Sequence, residues 1–226
     1  MRRSGWLLAA VAAGGVGWAV AEVARPRRAD IRVFDPDEVA RLETAMWRSY
    51  YDRRRLPLFA QLVALLQGQF HLQPLRAVTL AGLAARAAAV FQVGASHDDS
   101  RRALPYLERY YDGIRAASEV PFDPRRAAGL ELAWWIVHRE VDDHPPGDLE
   151  AALADLAAEL YQVPVERLWT HAARRAEAMT IRDRASRRQV GVLDDDWDRI
   201  EAVLWVAWKA LADEVRTAAR EEEAEA

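Results

Sequence analysis

Two glutamates sit where a helical pattern should bury them. Glu43 falls in the middle of an apolar stripe made by Val39, Met46 and Tyr50, with Leu42 beside them. Glu131 falls in a segment that is apolar nearly all round. There Leu130, Trp134, Val137 and Val141 form the main stripe, and Ala127, Leu132, Ala133, Trp135 and Ile136 cover most of the rest. His138 follows Glu131 by seven residues, on the same side. Farther along, Leu168, Ala172, Ala176 and Met179 form a stripe that Asp183 continues, with His171, Arg175 and Arg182 along one edge.

An ionised carboxylate inside a protein is costly unless it is paired, so something must answer Glu43 and Glu131. Three arrangements could do so. Each glutamate could pair with an arginine, or be protonated and hydrogen-bonded to Tyr50, Tyr51 or a tryptophan indole, and so hold helix register. Alternatively, Glu43, Glu131, His138, Arg175 and Arg182 could line a small-ligand pocket between helices. Lastly, Glu43, Glu131 and His138 could hold a metal. Helical bundles with two-metal carboxylate sites add Glu-x-x-His from two further helices, and the chain contains no such tetrad. No cofactor fingerprint is present; Gly14-Gly15 lies in an apolar run without the Lys-Ser/Thr of a phosphate loop.

The elements that carry these residues come in two similar sets. Residues 34–47 read FDPDEVARLETAMW and residues 122–135 read FDPRRAAGLELAWW, an offset of 88. At the same offset Pro57 falls on Pro145, Leu65 on Leu153, Leu72 on Leu160, Leu80 on Leu168 and Arg86 on Arg174. Glu43 and Glu131 are equivalent, as are Trp47 and Trp135, while Tyr50 is matched by His138. The reading is a tandem duplication, residues 34–121 and 122–222; the plainer alternative is two helix starts with the same capping chemistry. Asp35 and Asp123 suit N-caps, and Pro36 and Pro124 suit the first helical position. The pattern predicts helices over 36–54, 58–71, 75–92 and 101–118, then 124–142, 148–161, 165–188 and 195–221. No strand-like alternation occurs.

Residues 6–23 are apolar apart from Glu22 and flanked by arginines, long enough to just span a hydrocarbon core. The expectation is an uncleaved membrane anchor with its basic linker over 1–28, and an all-helical body over 29–226 outside a bacterial-type membrane. A cleaved secretory signal also fits, with Ala19-Val20-Ala21 as the cleavage site.

The chain of 226 residues has a net charge of -4. Its first 33 residues carry six arginines and two acids, so the body is near -8. An acidic body argues against nucleic acid as a partner. With no cysteine, disulfides, thiol catalysis and cysteine metal sites are excluded.

The expected fold is all-α, a helical bundle of two pseudo-equivalent sets behind one N-terminal transmembrane or signal helix. Two function classes fit. One is a membrane-anchored helical binding or scaffold module, with a protein partner or a second copy docking on the last helix through Ile200, Val203, Leu204, Ala207, Trp208, Leu211 and Val215. The other is an enzyme, or a metal- or ligand-binding protein, built on the buried glutamates and His138.

Overall fold

A computed structural model describes residues 26–225. The proposed anchor at 6–23 lies outside the described residues.

Helix α1 (Pro36–Tyr51) starts where the sequence places it. The Asp35 side chain accepts hydrogen bonds from the amides of Asp37 and Glu38, and Pro36 occupies the first turn. It ends three residues earlier than expected, because Arg53 turns into the left-handed region at φ 58°. Helix α2 (Arg55–Phe70) stops at His71, also left-handed. Helix α3 (Pro74–Val93) leads through the short α4 (His97–Arg101) to α5 (Leu104–Ala117). The predicted helix over 101–118 thus starts at Leu104, and the short α4 ahead of it, capped by Ser96, was not expected.

Helix α6 (Pro124–Arg139) repeats the opening of α1, with Asp123 accepting from the amides of Arg125 and Arg126. A 3₁₀ turn (Val141–Asp143) leads to α7 (Asp148–Tyr161), which stops at left-handed Gln162. A second 3₁₀ turn (Val165–Leu168) precedes α8 (Trp169–Ser186), and α9 (Asp194–Glu225) closes the fold. The left-handed stops at His71 and Gln162 are 91 residues apart, not the 88 of the sequence offset. The difference falls with the α6–α7 connection, which is longer than the turn Asp52–Arg54.

The long helices run up and down, and each packs on its neighbours in sequence. The last, α9, packs on both α8 and α1. The result is a flattened ring. One layer holds α1, α2 and α3; the other holds α8, α7 and α6; α9 and α5 close the two edges. Side chains reach across between layers: Glu43 of α1 to Arg175 of α8, Gln69 of α2 to Tyr161 of α7, and Phe91 of α3 to Trp135 of α6. One continuous core fills the space between.

The ring has two ends. At the proximal end the N-terminal linker is held. The Arg27 amide donates to Gln73 just before α3, and the Arg28 guanidinium donates to the Ser118 carbonyl just after α5. Ala29 forms an isolated parallel bridge with Ser118, and the described residues form no sheet beyond it. At the distal end Arg48 of α1 meets Asp194 of α9, and Arg139 of α6 donates to carbonyls at the close of α3.

Among the described residues, α3 alone is long and apolar enough to cross a membrane. It packs on α2 and α5 and buries Ala77, Leu80, Ala81 and Ala87 in the shared core. The apolar face of α9 is covered as well: Ile200, Leu204, Ala207, Leu211 and Val215 are each 0% exposed. That face is spent on closing the ring.

Helices α3 and α5 approach closely at Gly113. A Cβ there would stand 2.4 Å from Leu80 Cδ2, in the core. Gly113→Ala should therefore lower stability by about 1–3 kcal/mol through overpacking. Gly82 and Gly129, in open surroundings, should gain about 0.5–1 kcal/mol on mutation to Ala. Urea denaturation of the three variants checks the contrast in sign.

Candidate functional site

Each polar side chain here is placed by the helix that carries it. Glu43 lies on the inner face of α1 and is 3% exposed. Its Oε1 accepts from Arg175 Nη2 of α8 at 2.5 Å, and its Oε2 from the Trp208 indole of α9 at 2.6 Å. One carboxylate thus ties α1, α8 and α9 together. The Trp208 ring takes the Arg175 guanidinium on its face at 5.5 Å and His171 on its edge at 5.1 Å. Trp208 belongs to the apolar stripe of the last helix, and that stripe alone gives no sign that its N–H reaches a glutamate.

His171 is 2% exposed, and its Nδ1 lies 3.0 Å from the Ala207 carbonyl. A carbonyl only accepts, so Nδ1 carries the proton. Burial, followed by the Arg175 charge, pushes the imidazole pKa down to about 3. His171 is a neutral structural group.

Glu131 is answered differently. It is partly buried on α6. Its Oε2 accepts from the Tyr111 hydroxyl of α5 and its Oε1 from the Trp135 indole, both at 2.8 Å. The Trp134 indole also faces this carboxyl without reaching hydrogen-bond geometry. Burial pushes the Glu131 carboxyl above the ordinary range, against the pull of those donors and of the Arg175 charge. Burial likewise raises the hydroxyls of Tyr110, Tyr111 and Tyr161.

Glu43 meets a cation, whereas Glu131 meets only neutral donors. At the 91-residue offset that the left-handed stops set for α3 and α8, Arg175 falls on Ala84, which is partly buried. Arg86 and Arg174, expected as a matched pair, meet neither glutamate. Arg86 lies over the Tyr106 ring and Arg174 pairs with Glu177.

The remaining candidates form a second cluster nearer the distal end. His138 Nε2 is 3.2 Å from Asp183 Oδ2, and Arg182 Nη1 is 2.8 Å from Asp183 Oδ1. Burial opposes ionisation of Asp183, yet the bonds from His138 and Arg182 hold its carboxyl below the usual range. The Arg182 guanidinium covers the Tyr51 ring at 3.1 Å, and burial pushes that phenol up to about 12. Tyr50, expected on the inner stripe, points outward and is 42% exposed.

The structure therefore unites Glu43 with Arg175, puts Glu131 within reach of the same arginine's charge, and sets His138 and Arg182 apart on Asp183. Among the described residues no three His, Asp or Glu side chains are grouped to hold a metal. No protein-family model, curated protein or solved structure matches the chain. Two surface hollows contain none of these candidates. One, of about 360 Å³, runs between α1 and α9 past Asp37 and Trp205. The other, of about 400 Å³, lies beside Val93 and Tyr106. No nucleophile lies beside a base in either cluster. The arrangement chiefly neutralises buried charge and locks helix to helix.

Removing one member of the central pair should be severe. Glu43→Ala leaves the Arg175 charge buried without its partner and should cost about 3–5 kcal/mol. The combined variant Glu43→Leu with Arg175→Met should lose less than the single change, in the same urea titration. The histidine makes a separate prediction. An unfolded His171 binds a proton below about pH 6.5, whereas the folded one refuses it down to about 3. Stability should fall as pH drops through that window, by up to about 1.4 kcal/mol per pH unit. His171→Asn keeps a donor for the Ala207 carbonyl and should flatten the slope of stability against pH.

Proposed function

We propose that this chain is a membrane-tethered helical binding or scaffold module, a tandem duplication closed on itself, whose buried glutamates hold the layers in register. The observation that carries this reading is the capture of both Glu43 oxygens by Arg175 and Trp208 inside the core. A carboxylate held in that way has no free oxygen for a substrate or metal. Duplication is supported by the matching caps at Asp35 and Asp123. It is supported too by the succession α1, α2, α3, α5, whose packing order α6, α7, α8, α9 repeats. The tether rests on the apolar residues 6–23, followed at once by a linker fastened to the proximal end of the ring.

A second reading, a small-ligand or metal site used for binding or catalysis at Glu131, is favoured by one observation. The Trp134 indole and Arg175 Nε are buried without hydrogen-bond partners, near a carboxyl that burial keeps from ionising readily.

Fractionation of the full chain, with N-terminal sequencing and with elemental and mass analysis, separates these readings. The tethered module should stay with membranes through a salt wash, retain Trp6 and carry no stoichiometric metal or small molecule. A mature N-terminus near Glu22 would overturn the tether. A bound metal or small molecule that vanishes in Glu131→Gln would replace the structural reading with the second one.

A further inference from the structure

Two turns at the distal end carry charge that works against the helices beside them. The α1–α2 turn presents Arg53, Arg54 and Arg55, all exposed. They open α2, which has no side-chain cap and no acid in its first turn. Cations at a helix N-terminus oppose its dipole. The α6–α7 connection presents Asp142 and Asp143, also exposed, just past the C-terminus of α6, where acids are equally misplaced. Asp142 has only a distant contact with Arg187, at 3.9 Å, with 88% of its side chain exposed. Beside each charged run stands an exposed aliphatic residue, Leu56 at 85% and Val141 at 40%.

The two runs have opposite signs and lie at the same end of the ring, one in each layer. Neither meets the other within one chain. A two-fold axis perpendicular to the helices would set the basic turn of one copy on the acidic connection of another, and the reverse contact would form at the same time. Such a pair is closed and self-complementary. It would relieve both dipole conflicts at once, where each alone is a local cost without a structural gain.

We infer that the distal end is a self-association surface on which a second copy of this chain docks face to face, Arg53, Arg54 and Arg55 of each copy against Asp142 and Asp143 of the other. Leu56 and Val141 supply the apolar contact, and the charges set register and make pairing salt-sensitive. The N-terminal linker is fastened at the proximal end, so the two N-terminal segments leave the pair in opposite directions. Given the tether, which is the reading proposed above, the pair would join two apposed bilayers.

Sedimentation velocity of the full chain in detergent tests the pairing. A dimer is expected at low salt, with affinity falling tenfold or more at high salt. Arg53→Glu, Arg54→Glu and Arg55→Glu together should give a monomer, as should Asp142→Arg with Asp143→Arg, each with an unchanged circular dichroism spectrum. Mixed one to one, the two variants regain both contacts and should form a heterodimer. A monomeric parent chain at low salt, charge variants that still dimerise as the parent does, or a mixture that stays monomeric would each overturn the inference. Vesicles of neutral phosphatidylcholine carrying the full chain should cluster in light scattering, and those carrying either variant alone should not. A chain that dimerises in detergent but washes off the vesicles would sink the tether and leave the pairing standing.

Discussion

One carboxylate fixes how the two layers meet. A carboxylate in the core needs a cation and a donor, and Glu43 finds them on two different helices. Helix α1 is therefore bound to α8 across the layers and to α9 around the edge. The depth of Arg175 follows, because its guanidinium must reach the carboxylate and still lie over Trp208. His171 follows in turn. It stands against the same indole, under the same positive charge, and can only be neutral. A small set of polar contacts thus dictates the packing of large apolar faces that could otherwise slide past one another.

Glu43 and Glu131 share a sequence pattern but not an environment. Glu43 has the Arg175 guanidinium against one oxygen and the Trp208 indole against the other. Glu131 is left with neutral donors from Tyr111 and Trp135 and is pushed toward its protonated form. The two carboxyls thus meet two electrostatic surroundings, a cation and an indole around Glu43 and neutral donors around Glu131.

Helices and caps were legible in the sequence because they depend on neighbours along the chain. Asp35-Pro36 and Asp123-Pro124 announce their own helices, and the apolar spacing around Glu43 announces burial. The partners were not legible. Helical periodicity places Arg175 at a stripe edge but does not say that it crosses to another layer. It shows Trp208 as one more apolar residue and hides the indole N–H. Tyr50 misled for a similar reason. It shares the inner spacing of α1, but the helix stops one residue beyond it, so its ring turns to solvent beside Gln92. The short helix His97–Arg101 was likewise hidden, since Ser96 caps it through its own side chain, a contact too local to alter the apolar pattern. Nothing in the sequence set the basic turn and the acidic connection at one end, because that needs the up-and-down course of the whole ring.

Closure has its own consequence. Arg32, just ahead of α1, bonds to Glu222 near the close of α9, so the path of the chain returns to where the body begins. A ring of this kind has no outermost helix to peel away first. Detaching α9 uncovers α1 and α8 together, and detaching α5 uncovers α3 and α6. Loss of structure is then shared around the circle rather than fraying from a tip. The order of the helices is in effect cyclic, and a peptide link from α9 to α1 with a new break between α5 and α6 would keep every helix-to-helix face while loosening the Ser118 contacts that hold Arg28 and Ala29.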